Sequence, residues 1–257
     1  MHLTLDKNLA ASYKSPSQKV RVMTESWVKN EAYCPNCGKH FLVKYPNNRP
    51  VADFFCDCCH EDYELKSKKI KFGPKLPDGE HDTMLKRLSG NHVPNLLLLN
   101  YDLLTYQILN FLVIPKQFFV PDIIERRNPL GPDAQRAGWI GCNILLERIP
   151  QAGRIFIVHN QRIERQKLVR ESWDKTLFLR DITKTESKGW LLDIMHCIEL
   201  MGRKTFTLDD IYKFERDLAI KHPNNRHIKD KIRQQLQILR DQNYIRFLNR
   251  GEYQVVL

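Results

Sequence analysis

Apolar residues recur at helical spacing through residues 187–201, toward the carboxyl end of the chain. The members of this stripe are Trp190, Leu191, Ile194, Ile198 and Met201. Positions with this period lie along one face of a helix, and the Gly202 that follows favours helix termination. Thr207 is placed to cap a second helix, whose first turn would favour the carboxylates of Asp209 and Asp210.

A second amphipathic pattern predicts a third helix over residues 224–241. Its buried stripe is Ile228, Ile232, Leu236 and Leu239. The chain then ends in two short strand-like runs around a turn at residues 249–252. Three helices followed by a hairpin are the order of a winged helix-turn-helix domain. We therefore predict such a DNA-binding domain over residues 183–257, with a polar linker at residues 181–187.

The amino-terminal part of the chain, residues 1–182, predicts an α/β (α+β) domain with a mixed sheet. Ser15-Pro16 favours the start of a helix that extends to about Asn30. Strand-like runs follow at residues 41–45, 51–55, 62–66, 96–100, 139–146 and 154–158. A further helix is predicted over residues 102–112, and the lysine-rich residues 67–93 are predicted to be a long loop that orders on a ligand.

The charge of the chain points to a polyanionic partner. Its 41 Lys and Arg exceed its 30 Asp and Glu, and the net charge of +11 favours nucleic acid. The most apolar segment, residues 95–114, is interrupted by Asn, Asp and Gln, so no membrane helix is predicted. The start of the chain lacks the apolar region of a signal peptide. We therefore expect a cytoplasmic protein whose cysteines stay reduced.

Four of the seven cysteines form two pairs with C-x2-C spacing, eighteen residues apart. These cysteines are Cys34, Cys37, Cys56 and Cys59. The spacing is typical of a zinc ribbon, and four thiolates close a tetrahedral Zn²⁺ site with no position open for chemistry. We therefore predict a structural zinc ion. Cys58 has the wrong spacing from Cys56 and is excluded from the ligand set, although the register of the second pair stays open.

Acidic and basic residues lie on both sides of the second cysteine pair. Asp53 is followed by Glu64 and Lys66, which is the pattern of a metal-dependent nuclease. Side chains two positions apart on a strand point to the same face, so Lys66 would lie beside a Mg²⁺ bound by the carboxylates. There it could contact the attacking water or the developing negative charge. Taken alone the triplet is weak evidence, and the alternative is a non-enzymatic zinc-ribbon and winged-helix DNA-binding regulator.

The segments CPNC, VADFFCDCC and YELKSKK, followed by a winged helix, resemble the DpnI family of methyl-directed restriction endonucleases along the whole chain. The resemblance implies a PD-(D/E)xK restriction-endonuclease-like core in a bacterial, cytoplasmic enzyme. It implies Mg²⁺-dependent cleavage of double-stranded DNA at GATC sites that carry N6-methyladenine. By position, Asp53, Glu64 and Lys66 would be the catalytic triplet, and the backbone carbonyl of Leu65 a further Mg²⁺ ligand. Ala52 replaces the proline of the family motif, which supplies no ligand.

The polar side of the third predicted helix supplies the candidate DNA-reading residues. These are Asn224, Asn225, Arg226, Lys229 and Arg233, since Asn pairs with adenine edges, Arg with guanine and basic groups with phosphates. Arg250 at the hairpin tip is a candidate phosphate contact. Trp139 is a candidate apolar wall for a methyl group, with a core position as its alternative. The chain has no evident dimerisation helix, so a monomer in solution is expected.

Overall fold

The computed structural model describes residues 1–46, 52–90 and 92–256, and over this range the chain divides into two units. The first comprises Met1–Glu147 and Gly153–Thr176, and the second comprises Arg148–Ala152 and the chain from Leu177 onward. The domain boundary between residues 182 and 183 stays a prediction. Within the described ranges, none of the helices combines the length and the apolar character needed to cross a bilayer.

The first unit is built from three helices and a succession of strands in its described residues. The helices are α1 (Pro16–Glu31), α2 (His81–Ser89) and α3 (Gln166–Asp174). The strands are β1 (Val43–Lys44), β2 (Phe54–Phe55), β3 (Asp62–Lys68), β4 (Lys75–Glu80), β5 (Asn95–Tyr101), β6 (Ile108–Ile114), β7 (Ile124–Arg126), β8 (Gly141–Leu145), β9 (Ile155–His159) and β10 (Arg162–Ile163). The strand predicted over residues 51–55 begins at Val51, which lies outside the described residues, and its described part is β2.

The predicted mixed sheet is confirmed. Its strand order is β1-β2-β3-β5-β6-β9-β10, in which β3 and β5 run parallel and the other neighbours are antiparallel. Every residue of β5 is buried, because this central strand is covered on both faces, and its sequence NLLLLNY is accordingly almost continuously apolar. Helix α1 packs its buried Trp27 edge-on against Phe111 of β6, with ring centroids 5.1 Å apart.

The prediction of a helix over residues 102–112 is wrong, because the chain reverses direction there and continues as β6. The carboxylate of Asp102 accepts hydrogen bonds from the backbone N–H groups of Leu104 and Thr105, at 3.0 and 2.7 Å. Tyr106 then adopts a φ of +59°, which a helix does not permit. The apolar residues of β6 are buried in the sheet, and a short buried strand cannot be told from a buried helix by its periodicity.

The prediction of a long loop over residues 67–93 is also wrong, since this segment contains β4 and α2. Strand β4 lies at the edge of a second sheet with the order β4-β8-β7, where Leu76 pairs with Ile144 and Asp78 with Cys142. Its sequence KLPDGE contains proline and glycine, which disfavour strands in general but are tolerated at sheet edges. The pairing with β8 therefore outweighs the local sequence preference.

The second unit forms the predicted winged helix-turn-helix. Its helices are α4 (Thr185–Leu200), α5 (Leu208–Tyr212), α6 (Glu215–Lys221) and α7 (Ile228–Asp241). Its strands are β11 (Thr205–Thr207), β12 (Ile245–Asn249) and β13 (Glu252–Val255), arranged in the order β11-β13-β12. Thr207 caps α5 in a reciprocal capping box with Asp210, as its position predicts.

Three boundaries in this unit differ from the prediction. Helix α4 already begins within the predicted linker, at Thr185, and the second helix is divided into α5 and α6. The third helix begins at Ile228 and not at residue 224. The reason lies in Asn225, whose side-chain oxygen accepts the backbone N–H of His227 at 2.8 Å and holds the chain in a turn before the helix.

A polar cluster joins α4 to the end of α6. The carboxylate of Asp193 accepts a hydrogen bond from the ring Nε2 of His222 at 2.8 Å and forms an ion pair with Lys221. The Trp190 ring stacks on His222, with centroids 3.8 Å apart. Burial acts to raise the pKa of Asp193, but the contacts with His222 and Lys221 outweigh it, so this pKa is lowered.

We expect Asp193→Asn to lower the free energy of unfolding by about 2 kcal/mol at neutral pH, because His222 and Lys221 lose a charged partner. A carboxyl group whose pKa is lowered by folding stabilises the protein at pH values above its ordinary pKa of about 4. This contribution is lost as the pH falls through the pKa of the folded state. Urea unfolding of the variant and the wild type at several pH values checks this. A difference that stays the same down to the most acidic pH would contradict it.

Candidate active site

Strands β2 and β3 bring Asp53 next to Glu64 and Leu65. The strands pair antiparallel with Phe54 opposite Tyr63, and the backbone N–H of Asp53 continues this ladder to the Tyr63 carbonyl at 2.9 Å. The Asp53 carboxylate accepts the backbone N–H of Leu65 at 2.7 Å. Its orientation is therefore fixed by the neighbouring strand.

Glu64 and Lys66 point to the same face of β3, and the Lys66 Nζ lies 2.6 Å from the Glu64 Oε1. Burial raises the pKa of Glu64; Lys66 opposes this shift, and the nearby carboxylates of Asp78 and Asp53 add to it. Carboxylates crowded in this way favour a divalent cation, and their hard oxygen atoms match the ligands that Mg²⁺ prefers. The carboxylates of Asp53 and Glu64 offer oxygen atoms of this kind.

A third carboxylate, that of Asp78 on β4, is absent from the predicted site. Its Oδ1 lies 2.7 Å from the Lys66 Nζ. Burial acts to lower the pKa of Lys66, but Glu64 and Asp78 outweigh it and raise this pKa, so the side chain remains an ammonium group. Sequence reasoning missed Asp78 because its Pro-Asp-Gly context is typical of a turn, and because only tertiary structure brings β4 to β3.

A cavity of about 770 Å³ lies beside these residues. Asp53, Lys66 and Lys68 border it, together with residues of α1. Among the latter, the buried Glu25 carboxylate forms ion pairs with the Arg21 Nε and the Lys44 Nζ, each at 2.6 Å. The cavity thus offers both acidic groups that suit a cation and lysines that suit a phosphate.

The sulfur atoms of the four predicted zinc ligands all lie within 4.8 Å of one another. Cys34 is 3.5 Å from Cys59, and Cys37 is 3.5 Å from Cys56, so the two pairs converge on one point. Sulfurs 2.3 Å from a tetrahedral Zn²⁺ would be separated by about 3.8 Å, which is close to these distances. Among the described residues, this is the one cluster of three or more cysteine, histidine or acidic side chains arranged to hold a metal.

Both knuckle turns of this cluster use positive φ angles. Gly38 has a φ of +80° and donates its N–H to the Cys34 carbonyl at 2.8 Å, and His60 has a φ of +58° and donates to the Cys56 carbonyl at 2.9 Å. The glycine suits this conformation because it has no Cβ. Cys58 lies between the ligands of the second turn but is exposed and outside the four-sulfur cluster.

Tyr63 connects the cysteine cluster to the strand that carries Glu64. Its side chain is fully buried, and its hydroxyl lies 3.1 Å from the Cys34 sulfur. Burial raises the pKa of the Cys34 thiol, so a cation is needed to keep it as a thiolate at neutral pH. The four cysteines therefore fit a structural Zn²⁺.

The predicted DNA-reading residues divide into two groups in the second unit. Lys229 and Arg233 lie on α7 and share Tyr212: the Lys229 Nζ is 5.2 Å from its ring centroid, and Arg233 donates to its hydroxyl at 3.1 Å. The other group comprises Asn224, Asn225 and Arg226. These residues were predicted to lie on the helix, but they lie in the turn before α7. The side-chain oxygen of Asn225 is used within that turn.

Two further predicted residues lie in loops. Arg250 is exposed at the turn between β12 and β13, where the next residue, Gly251, has a φ of +73°. Trp139, in the first unit, is half-buried, and the Arg136 guanidinium lies over its ring, 4.6 Å from the centroid. A Cβ at Gly141 would lie 2.8 Å from the Trp139 ring, so a larger residue at this position would displace the ring.

Comparison with protein-family models covers nearly the whole chain. Residues 1–182 match the DpnI model, described as the Dam-replacing family. Residues 186–255 match a companion model, described as the Dam-replacing HTH domain. The first match contains the carboxylates, the lysine and the cysteine cluster, and the second contains α7 and the hairpin.

We expect Cys56→Ser to lose bound zinc and to lower the melting temperature, because three thiolates and a hydroxyl no longer close the tetrahedral site. Metal content by mass spectrometry, together with thermal unfolding, checks this. The matched control is Cys58→Ser, which changes an exposed cysteine in the same turn and should keep both zinc and melting temperature. Zinc loss without any change in thermal stability would contradict a structural role for the cluster.

Proposed function

This chain belongs to the DpnI family of Dam-replacing proteins, and on that premise we propose that it is a methylation-dependent restriction endonuclease. The proposed substrate is double-stranded DNA with GATC sites that carry N6-methyladenine. The proposed reaction is Mg²⁺-dependent hydrolysis of a phosphodiester bond. In this proposal a catalytic domain spans residues 1–182, a DNA-binding domain spans residues 183–257, and the protein is a monomer in solution.

The observation that carries the proposal is the meeting of Asp53, Glu64 and Lys66 at one place. Asp53 is joined to β3 by a 2.7 Å hydrogen bond to the Leu65 N–H, and Lys66 is 2.6 Å from Glu64. A zinc-ribbon regulator would have no need for these groups to converge, with Asp53 and Lys66 at the border of a cavity. The burial that raises the pKa of Glu64 also argues against a set of solvated surface charges.

Each residue of the triplet has a distinct role in the proposed reaction. Asp53, Glu64 and the Leu65 carbonyl would hold Mg²⁺, which supplies charge neutralisation and polarisation of the scissile phosphate when bound. Because the pKa of Lys66 is raised, this side chain stays protonated and donates hydrogen bonds. It can thus orient the attacking water and stabilise the negative charge that develops on the phosphate oxygens.

DNA selection is proposed to involve both units. On α7, Lys229 and Arg233 lie on one exposed polar side, which suits phosphate and guanine contacts. Arg226, in the turn before the helix, and Arg250, in the hairpin, would extend this basic surface along the DNA backbone. The half-buried ring of Trp139 is proposed as an apolar contact for the methyl group, in the way that side chains contact the thymine methyl.

Incubation of purified protein with Mg²⁺ and either adenine-methylated or unmethylated plasmid tests the proposal. We expect cleavage of the methylated plasmid, and a loss of at least about 10²-fold in rate for Asp53→Asn and for Glu64→Gln, because each removes a charged group from the site. Both variants should keep the melting temperature of the wild type within a few degrees. An intact methylated plasmid, or cleavage by both variants at the wild-type rate, would instead favour a DNA-binding regulator.

Removal of the Lys229 charge should weaken DNA binding without abolishing it. We expect Lys229→Ala to reduce the slope of log affinity against log salt concentration by about 1, as the loss of one phosphate contact predicts. Fluorescence anisotropy in the absence of Mg²⁺ measures this. Lys167→Ala, which removes the same charge from α3 in the first unit, is the control and should leave the slope unchanged. Equal slopes for Lys229→Ala and the wild type would show that Lys229 does not contact a DNA phosphate.

A further inference from the structure

We propose that Asp78 is a positioning residue, which holds the Lys66 ammonium group in place for the cleavage reaction. The inference rests on the proposed nuclease function and adds to it a residue outside the Asp53, Glu64 and Lys66 triplet. Asp78 is not assumed to contact substrate or metal. Its role is exerted through the contact of its Oδ1 with the Lys66 Nζ, at 2.7 Å.

Lys66 lies between two carboxylates that differ in their surroundings. The Glu64 side chain is 24% exposed, whereas that of Asp78 is only 10% exposed. An ion pair that is shielded from water is screened less and restrains its partners more than an exposed pair. Of the two contacts of Lys66, the one with Asp78 is therefore the better shielded from water, and it restrains the flexible side chain.

The two carboxylates also differ in their proposed roles in the reaction. Glu64 is a proposed Mg²⁺ ligand, so its negative charge must be shared between a cation and Lys66. Asp78 lies on a different strand, in the sheet formed by β4, β8 and β7. It can keep its contact with Lys66 when Glu64 binds metal. Two partners with separate tasks would thus keep the ammonium group in one position throughout the reaction.

The pairing of β4 with β8 becomes irregular directly after Asp78. Asp78 pairs with Cys142 of β8 and Glu80 pairs with Gly141, so Gly79 between them has no partner in the ladder. Such a bulge changes the direction of side chains on the bulged strand and is common next to active sites. The strand pairing from Lys75 to Asp78 is regular, which fixes the Asp78 backbone from which its side chain contacts Lys66.

The test uses Asp78→Asn in the full-length protein, because asparagine keeps the size and one oxygen of the side chain but removes its charge. In steady-state cleavage of methylated DNA with Mg²⁺, we expect kcat to fall by about 10²-fold, the loss that follows from a small misplacement of a reacting group. KM should change by less than about twofold, since the DNA contacts remain. Asp78→Glu, which restores the charge, should recover part of the rate.

The matched control is Glu125→Gln. Glu125 lies on β7 of the same sheet and forms an ion pair with Lys75 at 2.5 Å, so this substitution changes the net charge by the same amount and also removes an acidic partner of a lysine. It should cleave at the wild-type rate. Urea unfolding and DNA affinity without Mg²⁺, measured for both variants, provide readouts that do not depend on activity. Asp78→Asn should match the control in both.

A double variant separates positioning from an independent role. If Asp78 acts through Lys66, then Lys66→Met with Asp78→Asn should cleave no more slowly than Lys66→Met alone. A further loss of the same size as in the single variant would show that Asp78 acts by another route, for instance as a metal ligand, and would overturn the inference. A rate loss explained by unfolding, with no difference between Asp78→Asn and Asp78→Glu, would also overturn it.

The outcomes distinguish this inference from the function on which it rests. If the wild type leaves methylated plasmid intact, the proposed nuclease function fails and the inference falls with it. If the wild type cleaves the plasmid and Asp78→Asn cleaves it equally fast, the nuclease function stands and only the role of Asp78 is overturned.

Discussion

The candidate site depends on the pairing of two very short segments, β2 and β3. Only two residue pairs, Phe54 with Tyr63 and Phe55 with Asp62, form this ladder, and yet it brings Asp53 to Leu65. A ladder of this length has little stability of its own. The cysteine cluster closes the loop between the strands, and Tyr63 contacts it from β3. A metal at this cluster would therefore fix the spacing of the carboxylates without taking part in chemistry.

The rest of the first unit supports β3 from its other side. Six residues of β3 pair in parallel with β5, whose side chains are all buried, so the strand that carries Glu64 and Lys66 is anchored in the core. The second sheet supplies Asp78 from β4. Burial favours the neutral form of Glu64 and raises its pKa, while the carboxylate partners of Lys66 keep that group charged. The site concentrates opposite charges in a small volume, which suits the binding of a cation and a phosphate together.

Several parts of the molecule could be predicted because their signals are local. The C-x2-C pairs need only tight turns to converge, and the helical period of α4 is set by residues that are neighbours along the chain. The capping box of Thr207 with Asp210 spans a single turn. Predictions failed where tertiary contacts outweigh local preference: residues 102–112 form a turn and a strand, and residues 67–93 contain β4 and α2. The start of α7 was placed too early because Asn225 holds a turn through its side chain.

The sequence by itself determined which residue types are available for chemistry: the spaced thiols, the Glu-x-Lys pair on one strand face, and the basic helix of the winged domain. The physical reason is that side chains two apart on a strand, or three to four apart on a helix, are neighbours in any fold. Only the tertiary structure decided which distant groups join them. Asp78 reaches Lys66 because β4 pairs with β8 against the local preference of its Pro-Asp-Gly sequence, and contacts of that kind depend on the packing of whole sheets.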